Sequence, residues 1–334
     1  MANDFINIGV IGLGRMGQVH AHGFHKMPLV NLKAVADVNP GLLAETSEKF
    51  GAKGYADYNE ILEDPSINAV SICLPDNMHK DCILRATQAG KHVLCEKPLV
   101  NNLADALEIE KKLRGYDKVF MVAYCLRYDL QRAALRERLL AGDFGEVIHI
   151  YSRRNSPIVG PRHYAGYSDL ADHVMIHDID YINWLLRSKP RKVYAKSRSV
   201  LLKDKNMTDA IFALLTYPSG ELVCLESCWV LPELTPMALD DRLELIGTKG
   251  SAYLECSEAA VMFVSNRDAE KPVRHGGDFK AAEAAGMVYE ELNEFVRCVI
   301  AGKTSEVTIR EAVEDIEVVE AICLSAKEGR EIEL

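Results

Sequence analysis

The first 37 residues set what this chain can become. Ile6, Ile8, Val10 and Ile11 make a short apolar run rich in β-branched side chains, the pattern of a strand buried in a parallel sheet. The run leads straight into Gly12-x-Gly14-x-x-Gly17, and an amphipathic helical segment follows to about Met27. A second apolar strand, Leu32 to Ala36, ends at Asp37, 20 residues beyond Gly17. Glycine loops are common, but strand, loop, helix, strand and acid in this order form the fingerprint of a dinucleotide site. Gly12 permits the tight turn, Gly14 lets the backbone approach a pyrophosphate, and Gly17 lets helix and strand pack closely. The N–H groups of Arg15, Met16 and Gly17, with the helix dipole, would hold the phosphates. Asp37 would take the ribose hydroxyls and repel a 2′-phosphate. No Lys or Arg follows in Val38-Asn39-Pro40, so NAD is expected over NADP. The plainer alternative is a purely structural glycine turn.

At 334 residues the chain exceeds what one core usually accommodates, so two domains are expected. Its 48% hydrophobic and 26% charged residues are those of an ordinary globular protein. A formal charge of −10 argues against nucleic acid or an anionic membrane as partner. No apolar run approaches a membrane span, and Met1-Ala2-Asn3-Asp4 is not the basic start of a signal peptide, so a cytoplasmic protein is expected. The nine cysteines form no C-x-x-C pair. Cys73, Cys95 and Cys125 sit in apolar, strand-like runs and read as reduced core thiols.

After Asp37, residues 41–50 read as a helix stopping at Gly51, and Tyr58 to Leu62 as a short one. Strand 69–75, helix 78–89, strand 92–95, helix 102–114 and strand 119–124 continue the alternation. This spacing predicts a doubly wound parallel sheet, an NAD(P)-binding Rossmann domain over residues 1–127. The period then changes. Helix 130–141 precedes a strand from Val147 to Arg153, and two hairpin signals follow, at Pro218-Ser219-Gly220 and Gly247-Thr248-Lys249-Gly250. Residues 128–334 therefore read as an α+β domain with an open, mainly antiparallel sheet, for substrate binding and oligomerisation. Within it, residues 266–287 read as a loop, and two helices finish the chain. The second opens on the capping-box spacing Thr308 to Glu311, and these helices can pack back on the first domain.

In an open α/β sheet, ligands sit beyond the carboxyl ends of the strands. Gly12–Gly17, Pro75 through His79, and Glu96-Lys97-Pro98 all fall there. A lysine at the end of a buried strand is partly desolvated, which lowers its pKa toward the range useful for proton transfer. Pro98 restricts Lys97, and that bond can be cis. The plainer reading of Lys97 is a loop lysine paired with Glu96 in solvent. Later, Asp172-His173-Val174-Met175-Ile176-His177-Asp178-Ile179-Asp180 would put His173, His177, Asp180 and Trp184 on one helical face. A proton-transfer pair, a two-histidine metal site and a pair of interface histidines are all open. Val174 stands where a zinc protease needs Glu, and no third ligand is evident, so no metal is expected. His20, His22 and His25 are spread around the first helix and suggest neither metal nor relay.

The set Gly12-x-Gly14-x-x-Gly17, Ala36-Asp37, Pro75-x-x-x-His79, Glu96-Lys97-Pro98 and His177-Asp178-Ile179-Asp180, in this order, closely resembles the Gfo/Idh/MocA oxidoreductases. These are the family of glucose–fructose oxidoreductase and inositol dehydrogenase. Gly145-Glu146-Val147, Ile246 to Gly250 and Ser325 to Arg330 look like further landmarks, so the resemblance covers nearly the whole chain. It implies an NAD(P)-dependent dehydrogenase or ketoreductase acting on a secondary alcohol of a sugar, cyclic polyol or derivative, in a homodimer or homotetramer. Lys97 and His177 would be the acid–base residues, with His173 beside them. Pro75, His79, Glu96 and Lys97 would border the cofactor, and Arg127, Asn155 and Asp172 the substrate. A redox-neutral enzyme with tightly held NAD and a non-catalytic NAD-binding regulator are the alternatives.

Two departures bear on the substrate. Many members carry Asp where this chain has His173, with Asp172 beside it, and Gly166 to Asp169 replaces a common Gly-Gly run. Loss of that carboxylate suggests room for an anionic substrate, with Arg153, Arg154 and Arg162 as its partners; a solvated basic strand end is the other reading.

Overall fold

Strands that lie buried on both faces of a parallel sheet need nearly continuous apolar sequence, and β1 (Ile6–Ile11) has it: only Asn7 is not fully buried. The computed structural model describes residues 5–161, 164, 166–235, 239–255, 263–264, 269–270 and 286–334. It divides into two compact units, one built on residues 1–128 and 279–313, the other on 129–278 and 314–334. Among the described residues no helix is long and apolar enough to cross a membrane.

In the first unit β1 is followed by α1 (Arg15–Lys26), β2 (Val30–Ala36), α2 (Pro40–Phe50), β3 (Lys53–Tyr55) and α3 (Asn59–Glu63). Then come β4 (Ala69–Ile72), α4 (His79–Gln88), β5 (His92–Glu96), α5 (Leu103–Lys112) and β6 (Phe120–Ala123). All pairings are parallel, in the order β3-β2-β1-β4-β5-β6. The order reverses between β1 and β4, which opens a crevice at their carboxyl ends. The edge strand β3 carries no apolar run and is invisible in the sequence; its pairing with β2 creates it. Strand β4 stops at Ile72 and β6 at Ala123, short of their apolar runs. Cys73 thus lies in the loop after β4, Cys125 in a 3-10 turn over Cys125–Tyr128, and only Cys95 within a strand. The eight described cysteines are free thiols.

The second unit opens with α6 (Leu130–Leu140), β7 (Val147–Pro157), α7 (Ile176–Leu186), β8 (Lys192–Arg198), β9 (Ala210–Thr216) and β10 (Leu222–Leu231). β11 (Asp240–Gly247), β12 (Ser251–Glu255), β13 (Phe263–Val264) and β14 (Ala269–Glu270) follow. The segment read as a loop over 266–287 includes β14, which pairs with β13, and the start of α8 (Met287–Ala301); its other residues lie outside the described ones, save Gly286. The helix α9 (Ile309–Glu328) begins on the predicted capping box, with Glu311 N–H 3.2 Å from Thr308 Oγ1 and Thr308 N–H 2.9 Å from Glu311 Oε2. A short strand, β15 (Ile332–Glu333), ends the chain beside β8.

The large sheet runs β12-β11-β7-β10-β9-β8-β15. It is antiparallel except at β7–β10, because the excursion through α7, β8 and β9 returns β10 alongside β7 in the same direction. The hairpins β9–β10 and β11–β12 form where the turn signals stand. Two landmarks of the resemblance interlock here. A Cβ on Gly247 would lie 2.2 Å from Phe144 O, and one on Gly145 2.4 Å from Thr248 Oγ1, so each turn excludes side chains from the other. Thr248 N–H donates to Glu146 O and Lys249 N–H to Phe144 O, both at 2.9 Å.

Candidate active site

The glycine loop after β1 shows two different demands for glycine. Gly12 has φ +87, and a Cβ there would sit 2.6 Å from Cys73 O; at Gly17 it would sit 1.8 Å from Gly12 O. The fold itself requires those two. A Cβ at Gly14 would have nothing within 4 Å, so a bare backbone there serves what approaches from outside. No side chain caps α1, and its first turn holds no carboxylate, which leaves an anion site at the helix N-terminus. Asp37 turns one oxygen to the loop: Oδ2 accepts from Leu13 N–H and Oδ1 from Asn39 N–H, each at 2.7 Å. A carboxylate has about four acceptor sites, so it retains capacity for ribose hydroxyls. These residues fit a dinucleotide, whose nicotinamide supplies hydride chemistry when bound.

Beyond β4, Pro75 precedes a 3-10 turn over Asp76–Met78 that leads into His79. The His79 ring is fully buried, with Nδ1 2.9 Å from Pro98 O and Nε2 2.9 Å from Leu74 O. It therefore braces the loop after β4 against the loop after β5. Glu96 also turns inward. Its Oε2 accepts the Lys97 N–H at 3.1 Å, and its Oε1 lies 3.1 Å from His20 Nε2. Burial pushes the Glu96 carboxyl up, yet His20 and Lys97 together hold it below its ordinary value. Lys97 is half-buried at the end of β5, and the Lys97–Pro98 peptide is cis. Arg127 is buried in the turn after β6, with Nη1 3.3 Å from Glu311 Oε1.

His177 and His173 belong to the second unit. A π-helical turn over Ala171–Met175 precedes α7, so His173 is offset from His177 relative to a regular helix. The single helical face read from the sequence is interrupted between them. The His173 ring lies against Tyr164 at a 33° tilt, centroids 3.7 Å apart, and both rings lie near Trp229. Asp169 anchors this turn by accepting from Thr208 N–H and Oγ1, each at 2.8 Å. His177 is half-buried in the first turn of α7, beside Asp178, which is buried and takes Arg154 Nε at 2.7 Å and Ser152 Oγ at 2.8 Å. Arg154 also reaches Asp241 at 3.0 Å, and Arg153 pairs with Asp240 at 2.9 Å. Neither the anion-binding reading nor the solvated-strand reading of Arg154 holds, because its charge is spent inside the unit. Arg162 lies outside the described residues. Asn155 donates from Nδ2 to Glu226 Oε1 at 2.8 Å, while its buried Oδ1 has no hydrogen-bond partner among the described residues.

The model of an oxidoreductase family's NAD-binding Rossmann fold matches residues 6–124, and that of its C-terminal alpha/beta domain matches residues 136–334. The chain belongs to this family, the Gfo/Idh/MocA oxidoreductases. It is an NAD-binding oxidoreductase. The myo-inositol 2-dehydrogenase of Thermotoga maritima is 29% identical over 311 residues, 91% of each chain. The scyllo-inositol 2-dehydrogenase (NAD(+)) of Bacillus subtilis is 27% identical over 336 residues, 98% of this chain and 96% of that one. A probable dehydrogenase from Thermotoga maritima has the same architecture, with a TM-score of 0.88 at 26% identity over 98% of each chain. The scyllo-inositol dehydrogenase of Lactobacillus casei with bound NAD(H) and scyllo-inositol has a TM-score of 0.88, covering 98% of this chain and 99% of that one. At 22% identity that likeness shows the fold alone.

Sequence reasoning set His20 aside, and the structure gives it partners. Spacing within α1 could not show this, because those partners come from β4, the loop after it, and β5.

Proposed function

We propose that this oxidoreductase is an NAD-dependent dehydrogenase acting on a secondary CH–OH group of a cyclic polyol or neutral sugar derivative. The observation that carries the reading is full-length similarity to relatives named inositol dehydrogenases, with Glu96-Lys97-Pro98 closing β5 at the carboxyl edge of the nucleotide sheet. The glycine loop and Asp37 would hold NAD, which would supply the hydride acceptor for the carbinol carbon. Lys97 and His177 handle the hydroxyl: one holds its oxygen while the other takes the proton, work worth about 10²–10⁴ in rate. Arg127, Asp172 and the open Oδ1 of Asn155 supply hydrogen bonds to neighbouring hydroxyls. A neutral substrate fits better than an anionic one because Arg153 and Arg154 are already paired with carboxylates. We place the enzyme in the cytoplasm, where its eight described free cysteines stay reduced.

The experiment is a panel of inositols, aldoses and uronates with NAD and with NADP, read as absorbance at 340 nm, repeated with Lys97→Met. Turnover of a neutral polyol with NAD is expected, reduced about 10²- to 10⁴-fold in the variant at saturating NAD. A silent panel, or a variant with near-normal turnover, ends the proposal.

A further inference from the structure

The helix that begins at the phosphate-binding glycines carries a fully buried imidazole directly behind the Lys97 segment. His20, three residues beyond Gly17, is 0% exposed. Its Nδ1 lies 2.8 Å from Ser71 Oγ on β4 and 3.4 Å from Cys73 Sγ in the loop that follows. Its Nε2 lies 3.1 Å from Glu96 Oε1 on β5. The other oxygen of Glu96 holds the backbone N–H of Lys97 at 3.1 Å. Hydrogen bonds thus join Ser71 to His20 and Glu96 to the Lys97 backbone, and between them the His20–Glu96 contact is an ion pair at close range without hydrogen-bond geometry, all within the first unit.

A buried carboxylate must be matched, because an unpaired charge in low dielectric is costly. Glu96 has two claims on it. The Lys97 ammonium is near enough to stabilise its charge, and the His20 ring lies 3.1 Å from its Oε1. Were Oε1 left open, Glu96 would satisfy itself by drawing that ammonium inward or by taking a proton. His20 occupies Oε1 instead, and Ser71 fixes the ring that does so. Burial pulls the His20 pKa down, but Cys73 and Glu96 beside it more than offset this and raise it above the ordinary value.

We infer that His20 is a positioning residue: through Glu96 it holds Lys97 in its working place. This rests on the reading of Lys97 as an acid–base residue. Its test uses the geometric equivalence of amides to imidazole nitrogens. The Nε2 of Gln reaches where His Nε2 stood, toward Glu96, whereas the Nδ2 of Asn reaches only where Nδ1 stood, toward Ser71.

His20→Asn is expected to lower kcat about 10- to 100-fold with NAD affinity unchanged, and His20→Gln to restore most of it. In a Lys97→Met background, His20→Asn is expected to cost little more, because its effect passes through the lysine. If His20→Asn does not fold, Ser71→Ala frees the ring more gently and is expected to lower kcat by a few-fold. Equal turnover of the Asn and Gln variants, or an undiminished loss in the Lys97→Met background, overturns the role of His20 and leaves that of Lys97 standing. An unaltered Ser71→Ala enzyme overturns it as well. Near-normal turnover of Lys97→Met alone would instead remove the reading on which it rests.

Discussion

Gly14 and Gly17 look alike in sequence and do different work. At Gly17 an added methyl meets the backbone oxygen of Gly12 at 1.8 Å, and a backbone cannot step aside as a side chain can. Gly17→Ala is expected to lower stability by about 1–3 kcal/mol or more and to abolish NAD binding. Gly14 has φ −62, which alanine adopts freely, and open space around it. Gly14→Ala is expected to melt with the parent and bind NAD more weakly. Thermal unfolding and titration calorimetry on both variants check this, and a Gly14→Ala that binds normally would mean the pyrophosphate lies elsewhere. The glycine spacing was legible because one strand–loop–helix turn sets it, although the atom that Gly12 must clear is Cys73 O in the loop after β4. His79 and His20 were not, since the atoms that bind their rings come from strands and loops distant in the chain.

Among elements, α6, β7, α7 and β11 of the second unit are tied by four buried charges. Arg132 grips both oxygens of Asp241 at 2.7 and 2.8 Å, and Arg154 spans Asp241 and Asp178. Read along the chain these are four ordinary surface charges. The periodicity of each element says which face turns inward, but a strand register one residue different would turn Arg154 and Asp241 to the other face of the sheet. Asp241→Asn leaves two guanidinium groups sharing one carboxylate, and is expected to cost about 3–5 kcal/mol in denaturant unfolding. Burial pushes the Asp241 carboxyl up, but Arg154 and Arg132 hold it below its ordinary value. Its contribution is therefore complete above the ordinary aspartate range and is lost as pH falls through the lowered value. A variant as stable as the parent at neutral pH would show the cluster to be dispensable. The π-helical turn before α7 belongs to this scale too. Nothing in Ala171–Met175 forbids a regular helix, so its extra residue per turn comes from how the segment is anchored, as at Asp169 and Thr208.

For the whole molecule, the large sheet leaves Tyr194, Phe212, Leu214 and Leu222 exposed on neighbouring strands β8, β9 and β10. We propose that a second copy of the chain covers this face, since contiguous apolar surface of this kind marks an interface. Leu214→Glu is expected to shift the protein to a smaller species in light scattering, and an unchanged mass would place the interface elsewhere. The amino-acid sequence by itself determined the nucleotide-binding sheet, the glycine loop with Asp37 and the two hairpins. In each, the decisive forces act between residues close along the chain, where periodicity and turn chemistry record them. Tertiary structure alone decided the parallel β7–β10 pair, the edge strands β3 and β15, the inward roles of His79, Arg154 and Glu96, and the partners of His20. Those depend on groups brought together across tens of residues, and a buried polar side chain carries no local mark of which distant atom satisfies it.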